Sequence, residues 1–330
     1  MNRKILSVVV PVYNMQDYLY RCLDSLLISN QEFFQALEVI VVNDGSTDGS
    51  LRIARDYETR YPSVFRIINK TNGNCGSCIN AALAVATGKY FRQLDADDWF
   101  DTEALTAFVG LLRDRNEDIV STPKTIHYSD GRILAFKASS VDYGQTYLID
   151  DLHLKGSLEK GLITMQALSF RTDFLRNIGH RQQEGIFYTD LEYCYFPMKG
   201  ARDIYFSDLY VYQYLIGREG QSVSFKNMVK NKHHHFLVAK RLMSDLIAIQ
   251  GSISDNRRRI LLNELYPAVI AVYRDSLLYT KPDSDLLELD QLVRQQYVMN
   301  QAVEKLTYKN VPYVKLWREL HIDLHFLLFI

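Results

Sequence analysis

Two uninterrupted runs of β-branched residues near the start of the chain predict strands that are buried on both faces. They are residues 5–12 (ILSVVVPV) and residues 37–42 (LEVIVV), and continuous apolar runs of this length are typical of parallel strands covered by helices. Residues 17–28 place apolar side chains at helical spacing, and a second helix is predicted at residues 51–61. Strands and helices that alternate in this way predict an α/β fold with a doubly wound, mostly parallel sheet.

The alternation continues to about residue 215 and then gives way to helices. Further predicted strands cover residues 65–68, 88–94, 118–123, 164–170, 203–207 and 209–215, with a hairpin at 128–140. Further predicted helices cover residues 81–87, 101–115, 172–179 and a segment that ends at Lys199. After a polar stretch at 217–224, residues 226–250, 253–279 and 283–305 read as helices with short joints. We therefore expect two domains, residues 1–224 and a C-terminal α-helical region at 225–330.

The strand predicted at residues 88–94 leads into an acidic turn, Asp95-Ala96-Asp97-Asp98-Trp99. Carboxylates concentrated at the end of a buried strand are costly unless a positive charge binds them. In an extended chain, Asp95 and Asp97 point the same way, and a hard divalent cation is the natural ligand of two such groups. The alternative is that the turn caps the following helix, with Asp98 or Asp101 at the N-cap.

Two more acidic residues stand at the ends of predicted elements. Asp44 follows the second strand inside a turn rich in glycine and hydroxyl groups, and Asp190 precedes a predicted helix. Ligands of doubly wound sheets bind beyond the carboxyl ends of the strands, although each residue could also be a turn or cap residue. The loop at residues 70–80 is rich in Gly, Asn and Ser and precedes the predicted helix at 81–87, which is a generic anion site.

Composition removes several classes of function. The formal net charge of the 330 residues is -1, which gives no basic field for a nucleic-acid partner. The four cysteines are too few and too scattered for a disulfide framework, so a reducing cytoplasm fits. The pair Cys75 and Cys78 alone cannot complete a four-ligand zinc site.

Hydropathy bears on the location of the chain. The first apolar run breaks at Pro11 without a cleavage signal, and no window approaches 18 uninterrupted apolar residues. We expect a cytoplasmic protein. The tail at residues 311–330 is apolar enough to lie on the inner face of the membrane or on a partner, or to pack on its own domain. The long helices after residue 225 could form a homodimer or an intramolecular bundle.

Four motifs, taken in order, closely resemble the inverting family 2 glycosyltransferases. They are residues 8–14 (VVVPVYN), 39–48 (VIVVNDGSTD), 94–99 (LDADDW) and Thr189-Asp190 ahead of a helix. The resemblance is strong over residues 5–101, extends to about 224, and finds no motif beyond 225. It implies a GT-A (Rossmann-like) catalytic domain and a hexosyltransferase-type activity. The donor would be a nucleotide sugar, usually a UDP-sugar, and the cofactor Mn²⁺ or Mg²⁺. The acceptor would be a hydroxyl of a glycan, glycolipid, glycoprotein or wall polymer.

The resemblance also implies roles for individual residues. Those that would bind the donor are Pro11, Tyr13, Asn14, Asp44, Asn80 and Asp95. Asp44 would bind the nucleotide base, and Asp97, with Asp95 beside it, would bind the metal. Asp190 would be the catalytic base, while Gln221 and Ser222 fall where relatives carry a polar loop near the diphosphate.

Two positions depart from the family pattern. Thr189 stands where many relatives carry Glu, and Ile79 stands where many carry an Arg that contacts the diphosphate. Arg92 or Arg218 would then have to supply that contact.

The other residue roles that the resemblance implies agree with the chemistry of sugar transfer, because a divalent cation stabilises the charge on the leaving diphosphate. One carboxylate can then deprotonate the acceptor hydroxyl during an inverting displacement.

Two other functions compete with this hypothesis. A sugar nucleotidyltransferase would show a glycine-rich, basic loop after the first strand, where this chain has Pro11-Val12-Tyr13-Asn14. An inactive nucleotide-sugar-binding or scaffolding protein would not need Asp95, Asp97 and Asp190, which are all present.

Overall fold

The computed structural model describes residues 4–135, 138–154, 161–218 and 225–325. The chain divides into two compact units, residues 1–218 and 219–330. The domain boundary that we expected after residue 224 is six residues beyond the end of the first unit. It lies in a segment outside the described residues, so it stays a prediction. Gln221, Ser222 and the last five residues of the apolar tail also lie outside the described residues.

The first unit is built on a large mixed sheet. Its strands, with those of a smaller sheet, are β1 (Leu6–Val12), β2 (Leu37–Asp44), β3 (Phe65–Lys70), β4 (Tyr90–Gln93), β5 (Trp99–Phe100), β6 (Ile119–Ser121), β7 (Lys124–Tyr128), β8 (Ile133–Ala135), β9 (Gln145–Leu148), β10 (Leu168–Arg171), β11 (Asp203–Phe206) and β12 (Tyr212–Ile216). Among the described residues, eight of these strands form the large sheet in the order β3-β2-β1-β4-β10-β6-β11-β9. The first four are mutually parallel, whereas β10 and β9 run antiparallel to their neighbours. The predicted α/β fold is confirmed.

Helices flank this sheet, and local sequence signals explain where several of them begin. They are α1 (Gln16–Asp24), α2 (Gln31–Ala36), α3 (Ser50–Arg60), α4 (Asn74–Val85), α5 (Thr102–Asp114), α6 (Thr172–Asn177) and α7 (Asp190–Gly200). Asn30 caps α2 by accepting the Phe33 N–H at 3.1 Å, and Asp101 caps α5 by accepting the Ala104 N–H at 2.8 Å. Of the two candidate caps, Asp98 and Asp101, it is therefore Asp101 that caps the helix after the acidic turn.

The core of the first unit lies between the large sheet and its helices. Every residue of β2 is buried, and Leu6, Val8, Val9 and Val10 of β1 are 0% exposed. A fully buried Val, Leu or Ile side chain contributes about 1.5–3 kcal/mol relative to an exposed one. Because β1 pairs with both β2 and β4 in parallel, burial of this layer brings the carboxyl ends of three strands to one edge of the sheet.

A second, four-stranded sheet has the order β5-β12-β7-β8. β12 pairs antiparallel with β5, where Gln213 lies opposite Trp99, and parallel with β7. β7 and β8 form the hairpin that the Ser129-Asp130-Gly131 turn predicts, and Gly131 adopts the positive φ of 88°. This sheet places β12 directly against the acidic turn, because β5 begins at the residue after Asp98.

The second unit is helical, as expected. Its elements are α8 (Phe225–Lys230), α9 (Lys232–Ile249), α10 (Asp255–Arg274), a π-helical turn (Asp275–Tyr279), α11 (Ser284–Arg294), α12 (Tyr297–Glu304), β13 (Thr307–Tyr308), β14 (Val311–Pro312) and α13 (Tyr313–Leu320). The helix predicted at 283–305 is divided in two, since the Gln296 side chain accepts the Met299 N–H at 2.7 Å and starts α12. In the tail, Val314, Trp317 and Leu324 are buried. Within the described residues, no helix has both the length and the hydropathy to cross a bilayer.

Candidate active site

The acidic turn lies at the edge of the large sheet where β1, β2 and β4 end. The Asp98 N–H donates to the Asp95 carbonyl at 3.0 Å, so residues 95–98 form a β-turn. One oxygen from each of Asp95, Asp97 and Asp98 lies within 4.8 Å of the others. The carboxylates do converge as expected. The expected reason, an extended backbone, is wrong, because the reversal of the turn brings them together.

Asp98 is a buried structural residue of this turn. Its side chain accepts the Tyr212 hydroxyl at 2.7 Å and the Leu215 N–H at 2.8 Å. The same Tyr212 oxygen accepts the Asp95 N–H at 3.2 Å, which ties the turn to β12 at two points. Burial, followed by the charges of Asp95 and Asp97, raises the pKa of Asp98 to about 9. Asp98 therefore serves the small sheet and does not cap α5.

Asp95 and Asp97 remain available for a ligand. Gln93 Nε2 donates to Asp95 Oδ1 at 2.8 Å, and Arg218 Nε donates to Asp97 Oδ2 at 2.5 Å. Burial, followed by the charge of Asp97, raises the pKa of Asp95, which is the environment that a bound cation would relieve. Two hard carboxylates with the remaining positions filled by water or phosphate oxygens suit Mg²⁺ or Mn²⁺. The residues present fit a divalent metal.

The two arginines considered for the diphosphate have different environments. Arg92 is 0% exposed and donates to Thr122 Oγ1 at 2.9 Å and to the Gln166 carbonyl at 2.6 Å. A side chain enclosed in this way cannot reach a ligand at the sheet edge, so the hypothesis for Arg92 is wrong. Arg218 lies beside Asp97 and over the Tyr18 ring at 5.2 Å, which keeps it as the candidate.

Asp44 is buried at the end of β2 beside Lys70, which was not among the predicted site residues. Asp44 Oδ1 accepts Lys70 Nζ at 2.6 Å and the Gly73 N–H at 3.0 Å, and its side chain is 4% exposed. Lys70 ends β3 opposite Asp44 in the parallel register. The sequence does show a lysine at the carboxyl end of the strand that follows β2. The pairing of β2 with β3 was needed to place this lysine opposite Asp44.

The residues after β1 line the same edge. Pro11 lies opposite Val42 in the sheet, and Tyr13 is 49% exposed. Asn14 adopts a positive φ of 53°, and its Oδ1 accepts the Thr47 N–H at 2.8 Å. This contact joins the end of β1 to the glycine-rich turn after β2. Asn14, which is expected to bind the donor together with Pro11 and Tyr13, therefore contacts the turn that follows Asp44.

Asp190 is the first residue of α7 and has an exposed side chain. The preceding Thr189 makes no side-chain cap bond, and Tyr188 adopts a φ of 68°, which is unusual for a bulky residue. Although Asp190 is exposed, the protein around its carboxylate partly desolvates it and raises its pKa, while its own N–H and that of Leu191 oppose the shift. Burial and then the charge of Asp97 contribute most to the raised pKa of Asp95, and the charge of Asp190 adds to it, so the negative charges of Asp190 and Asp95 act on each other.

Asn80, which was expected to bind the donor, is hydrogen-bonded to another part of the protein. It lies on α4, which begins at Asn74, seven residues earlier than predicted. Its side chain is hydrogen-bonded to the loop that precedes α7, through Gln182 and Glu184.

Cys75 and Cys78 are free thiols on α4. Among the described residues, the acidic turn is the one group of three or more His, Cys, Asp or Glu side chains that could hold a metal ion.

Solved structures with this architecture bind nucleotide sugars. TarS 1–349 from S. aureus, in complex with UDP-GlcNAc, superposes with a TM-score of 0.58 over 90% of this chain and 81% of that chain, at 20% identity. The mannosyltransferase PcManGT from Pyrobaculum calidifontis, in complex with GDP-Man and Mn²⁺, gives a TM-score of 0.54 over 96% of this chain and 83% of that chain, at 17% identity. At these identities, the likeness shows a shared GT-A glycosyltransferase fold.

Sequence relatives give the family. A poly(ribitol-phosphate) beta-glucosyltransferase from Bacillus spizizenii is 28% identical over 79% of this chain and 39% of its own length. A hyaluronan synthase from Pasteurella multocida is 37% identical over 40% of this chain and 13% of its own length, so the matches span well under half of these relatives. The family model described as glycosyl transferase family 2 matches residues 7–172, which is half of the chain. The chain therefore belongs to glycosyl transferase family 2.

Proposed function

We propose that this glycosyltransferase moves a sugar from a UDP-sugar to a hydroxyl of a glycan, glycolipid, glycoprotein or wall polymer, with inversion at the anomeric carbon. The observation that carries the proposal is the position of Asp95 and Asp97. They converge at the carboxyl edge of the sheet after β4, with Asp44 at the end of β2 on the far side of β1 and the charge of Asp190 acting on Asp95. Free cysteines support a reducing, cytoplasmic location, and the poly(ribitol-phosphate) relative supports a wall-polymer acceptor.

The pocket at the ends of β1 to β3 would hold the nucleotide. Asp44 has one carboxylate oxygen fixed by Lys70 and Gly73, and a carboxylate held in this way can accept an N–H group from a base such as uracil. Tyr13 is exposed at the same edge and offers a face on which a base can stack. The UDP-GlcNAc complex of TarS supports this choice of nucleotide.

Asp95 and Asp97 would hold a divalent metal, and Arg218 would contact the diphosphate. When bound, the metal stabilises the negative charge that develops on the leaving diphosphate. Arg218 lies within 2.5 Å of Asp97, so its guanidinium is close to any phosphate that shares this site. The Mn²⁺ complex of PcManGT supports manganese among the candidate ions.

Asp190 would remove the proton from the acceptor hydroxyl. A general base works best with a pKa near the operating pH, and partial desolvation by the surrounding protein raises the pKa of Asp190 in that direction. Its exposed side chain at the start of α7 leaves it accessible to an acceptor. One carboxylate is sufficient for an inverting displacement, because the leaving diphosphate needs no proton.

A screen of nucleotide sugars tests the proposal directly. The purified chain is incubated with UDP-, GDP-, and dTDP-sugars in the presence and absence of Mn²⁺, and released nucleotide is measured. We expect hydrolysis or transfer with a UDP-sugar that depends on the metal. Absence of turnover with every donor and with glycan or poly(ribitol-phosphate) acceptors, from a protein that binds UDP, would favour an inactive binding protein.

A further inference from the structure

The loop at residues 181–189 leads into the helix that begins at Asp190. Asn80 of α4 and Glu192 of α7 hold this loop by hydrogen bonds, and the proposed function gives neither residue a role in it. We propose that Asn80 and Glu192 are positioning residues that hold Asp190 in its reactive place. This inference rests on the proposed function, since it concerns the residue assigned there as the base. It replaces the donor-binding role expected for Asn80.

Asn80 pairs with the backbone of the loop as a neighbouring strand would. Its Nδ2 donates to the Gln182 carbonyl at 2.9 Å, and its Oδ1 accepts the Gln182 N–H at 3.0 Å. The same Nδ2 also donates to Glu184 Oε1 at 2.9 Å. The two donors and the acceptor oxygen of the amide are thus directed at the loop and not at a nucleotide.

Glu192 fastens the next residue of the loop from the other side. Its side chain is 0% exposed, and it accepts the Gln183 N–H at 2.8 Å and Gln183 Nε2 at 2.6 Å. The sequence Thr189-Asp190-Leu191-Glu192 has the spacing of a capping box. Thr189 makes no cap bond, however, and Glu192 reaches back to Gln183 instead. Its carboxylate therefore joins the first turn of α7 to the loop.

Two glycines of α4 and its entry allow the loop to approach closely. The Gly185 N–H donates to the Gly73 carbonyl at 2.7 Å. A Cβ at Gly76 would lie 2.1 Å from the Gln183 carbonyl oxygen and 3.2 Å from Thr189 Oγ1. The loop therefore rests directly on the backbone of α4, and its contacts with Asn80 and Glu192 are made at this closest approach.

The anchored loop also holds a strained backbone. Tyr188 has a φ of 68° two residues before Asp190, and such a conformation persists only where its surroundings fix it. Hydrogen bonds at Gln182, Gln183 and Gly185, which lie three to six residues before Tyr188, fix the backbone of the loop. Displacement of a catalytic group by about 1 Å can lower a rate about 100-fold, so the anchors bear on turnover more than on nucleotide affinity.

The first test replaces Asn80. Asn80→Asp keeps the acceptor for the Gln182 N–H and loses the donor to the Gln182 carbonyl. We expect kcat for sugar transfer to fall by about 30- to 100-fold, with the Kd for UDP in the presence of Mn²⁺ changed less than about threefold. Amide exchange of residues 181–189 in the ligand-free protein should accelerate. Asn30→Asp is the matched control, because Asn30 caps α2 and Asp caps a helix equally well.

Glu192 provides the independent arm. Glu192→Gln keeps an acceptor for the Gln183 N–H, and the Gln183 amide can rotate to face it, so we expect it to retain most of kcat and of the exchange protection. Glu192→Ala should lose both, like Asn80→Asp. A UDP affinity that falls as far as kcat in Asn80→Asp would restore the donor-binding role and overturn the proposal. Unchanged exchange of residues 181–189 in Asn80→Asp and Glu192→Ala would also overturn it. If the wild-type chain turns over no donor, the proposed function fails, and the exchange measurement still decides whether the loop is anchored in this way.

Discussion

Three aspartates in four consecutive residues of the acidic turn have three different environments. Asp98 is enclosed by Tyr212 and Leu215, Asp97 faces Arg218, and Asp95 is held by Gln93. The order of the letters does not distinguish them, because the difference arises from β12, more than 110 residues further along the chain. The convergence of acidic side chains at this turn could therefore be predicted from the sequence, and the separate role of Asp98 could not.

Substitution of Asp97 and of Asp98 separates the proposed metal ligand from the structural residue beside it. In Asp97→Asn, we expect Mn²⁺-dependent turnover to fall about 100-fold or more, since loss even of an outer partner of a metal costs about 10–100-fold. In Asp98→Asn, the amide oxygen still accepts the Leu215 N–H, so turnover should stay within about tenfold. Turnover is measured as nucleotide release over a Mn²⁺ titration. Equal losses in the two variants would contradict the assignment.

Asp190→Asn tests the base without changing the shape of the side chain. Transfer should fall by about 100- to 10,000-fold, which is the usual contribution of general acid–base catalysis. Affinity for UDP and Mn²⁺ should remain, because Asp190 lies at α7 and not among the strand ends that hold Asp44. Calorimetry with UDP and Mn²⁺ gives the affinity, and product formation gives the rate. Loss of UDP binding in this variant would instead make Asp190 part of the donor site.

At the scale of elements, α4 is where prediction from sequence was least complete. Its first turns contain Cys75, Gly76 and Ser77, which have low helix propensity, so the sequence favours a loop there. Gly76, Ser77 and Cys78 are buried, and their packing offsets the propensity that they lack. The strands were predicted more reliably, because β1 and β2 carry continuous apolar runs whose burial defines them.

The close approach of α4 to the loop gives a prediction about Gly76. A methyl group there would meet the Gln183 carbonyl at 2.1 Å, so Gly76→Ala should displace the loop and destabilise the first unit by about 1–3 kcal/mol. A change of this size lowers the Tm of a domain of about 200 residues by roughly 2–12 °C. Gly251→Ala is the control, since nothing lies within 4 Å of an added methyl group there. Calorimetry measures both variants, and an unchanged Tm in Gly76→Ala would contradict the packing.

At the scale of the whole molecule, the two units carry different amounts of information in their sequences. The first contains the family motifs and the residues of the proposed reaction, whereas the second was predicted only as helices. The spacing of apolar residues predicted the helices of the second unit, but it did not predict the polar residues that are buried between them. That interior includes His235 and Asp275, which are 6% and 0% exposed, and whose Nδ1 and Oδ2 atoms lie 3.9 Å apart. Such contacts join residues 40 positions apart, and periodicity within one helix does not reveal them.

His235 makes the stability of the second unit depend on pH in a definite direction. Burial, followed by the charges of Arg274 and His234, lowers the pKa of His235 to about 4, against about 6.5 in an unfolded chain. Between these values the unfolded chain binds more protons, so stability rises with pH, and up to about 3 kcal/mol is lost as pH falls from 6.5 to 4. Burial raises the pKa of Asp275, so this group acts in the opposite direction and loses stability as pH rises above about 3.8.

The histidine contribution can be isolated by comparison with His235→Gln. Urea unfolding at pH 4.5 and pH 6.5 is followed by the fluorescence of Trp317 in a Trp99→Phe background, because the chain has 2 tryptophans and only Trp317 lies in the second unit. We expect the free energy of unfolding to rise with pH by about 1 kcal/mol per pH unit more in the histidine-containing protein than in the variant. Asp275 is present in both proteins, and its burial, the main cause of its own pKa shift, is retained in His235→Gln, so the comparison isolates the loss of the imidazole and its effect on this neighbour. Equal slopes in the two proteins would mean that His235 has the same pKa in the folded and unfolded states. Such a result would contradict the burial of His235, which lies on α9 with its Nδ1 atom 3.9 Å from Asp275 Oδ2 in the π-helical turn.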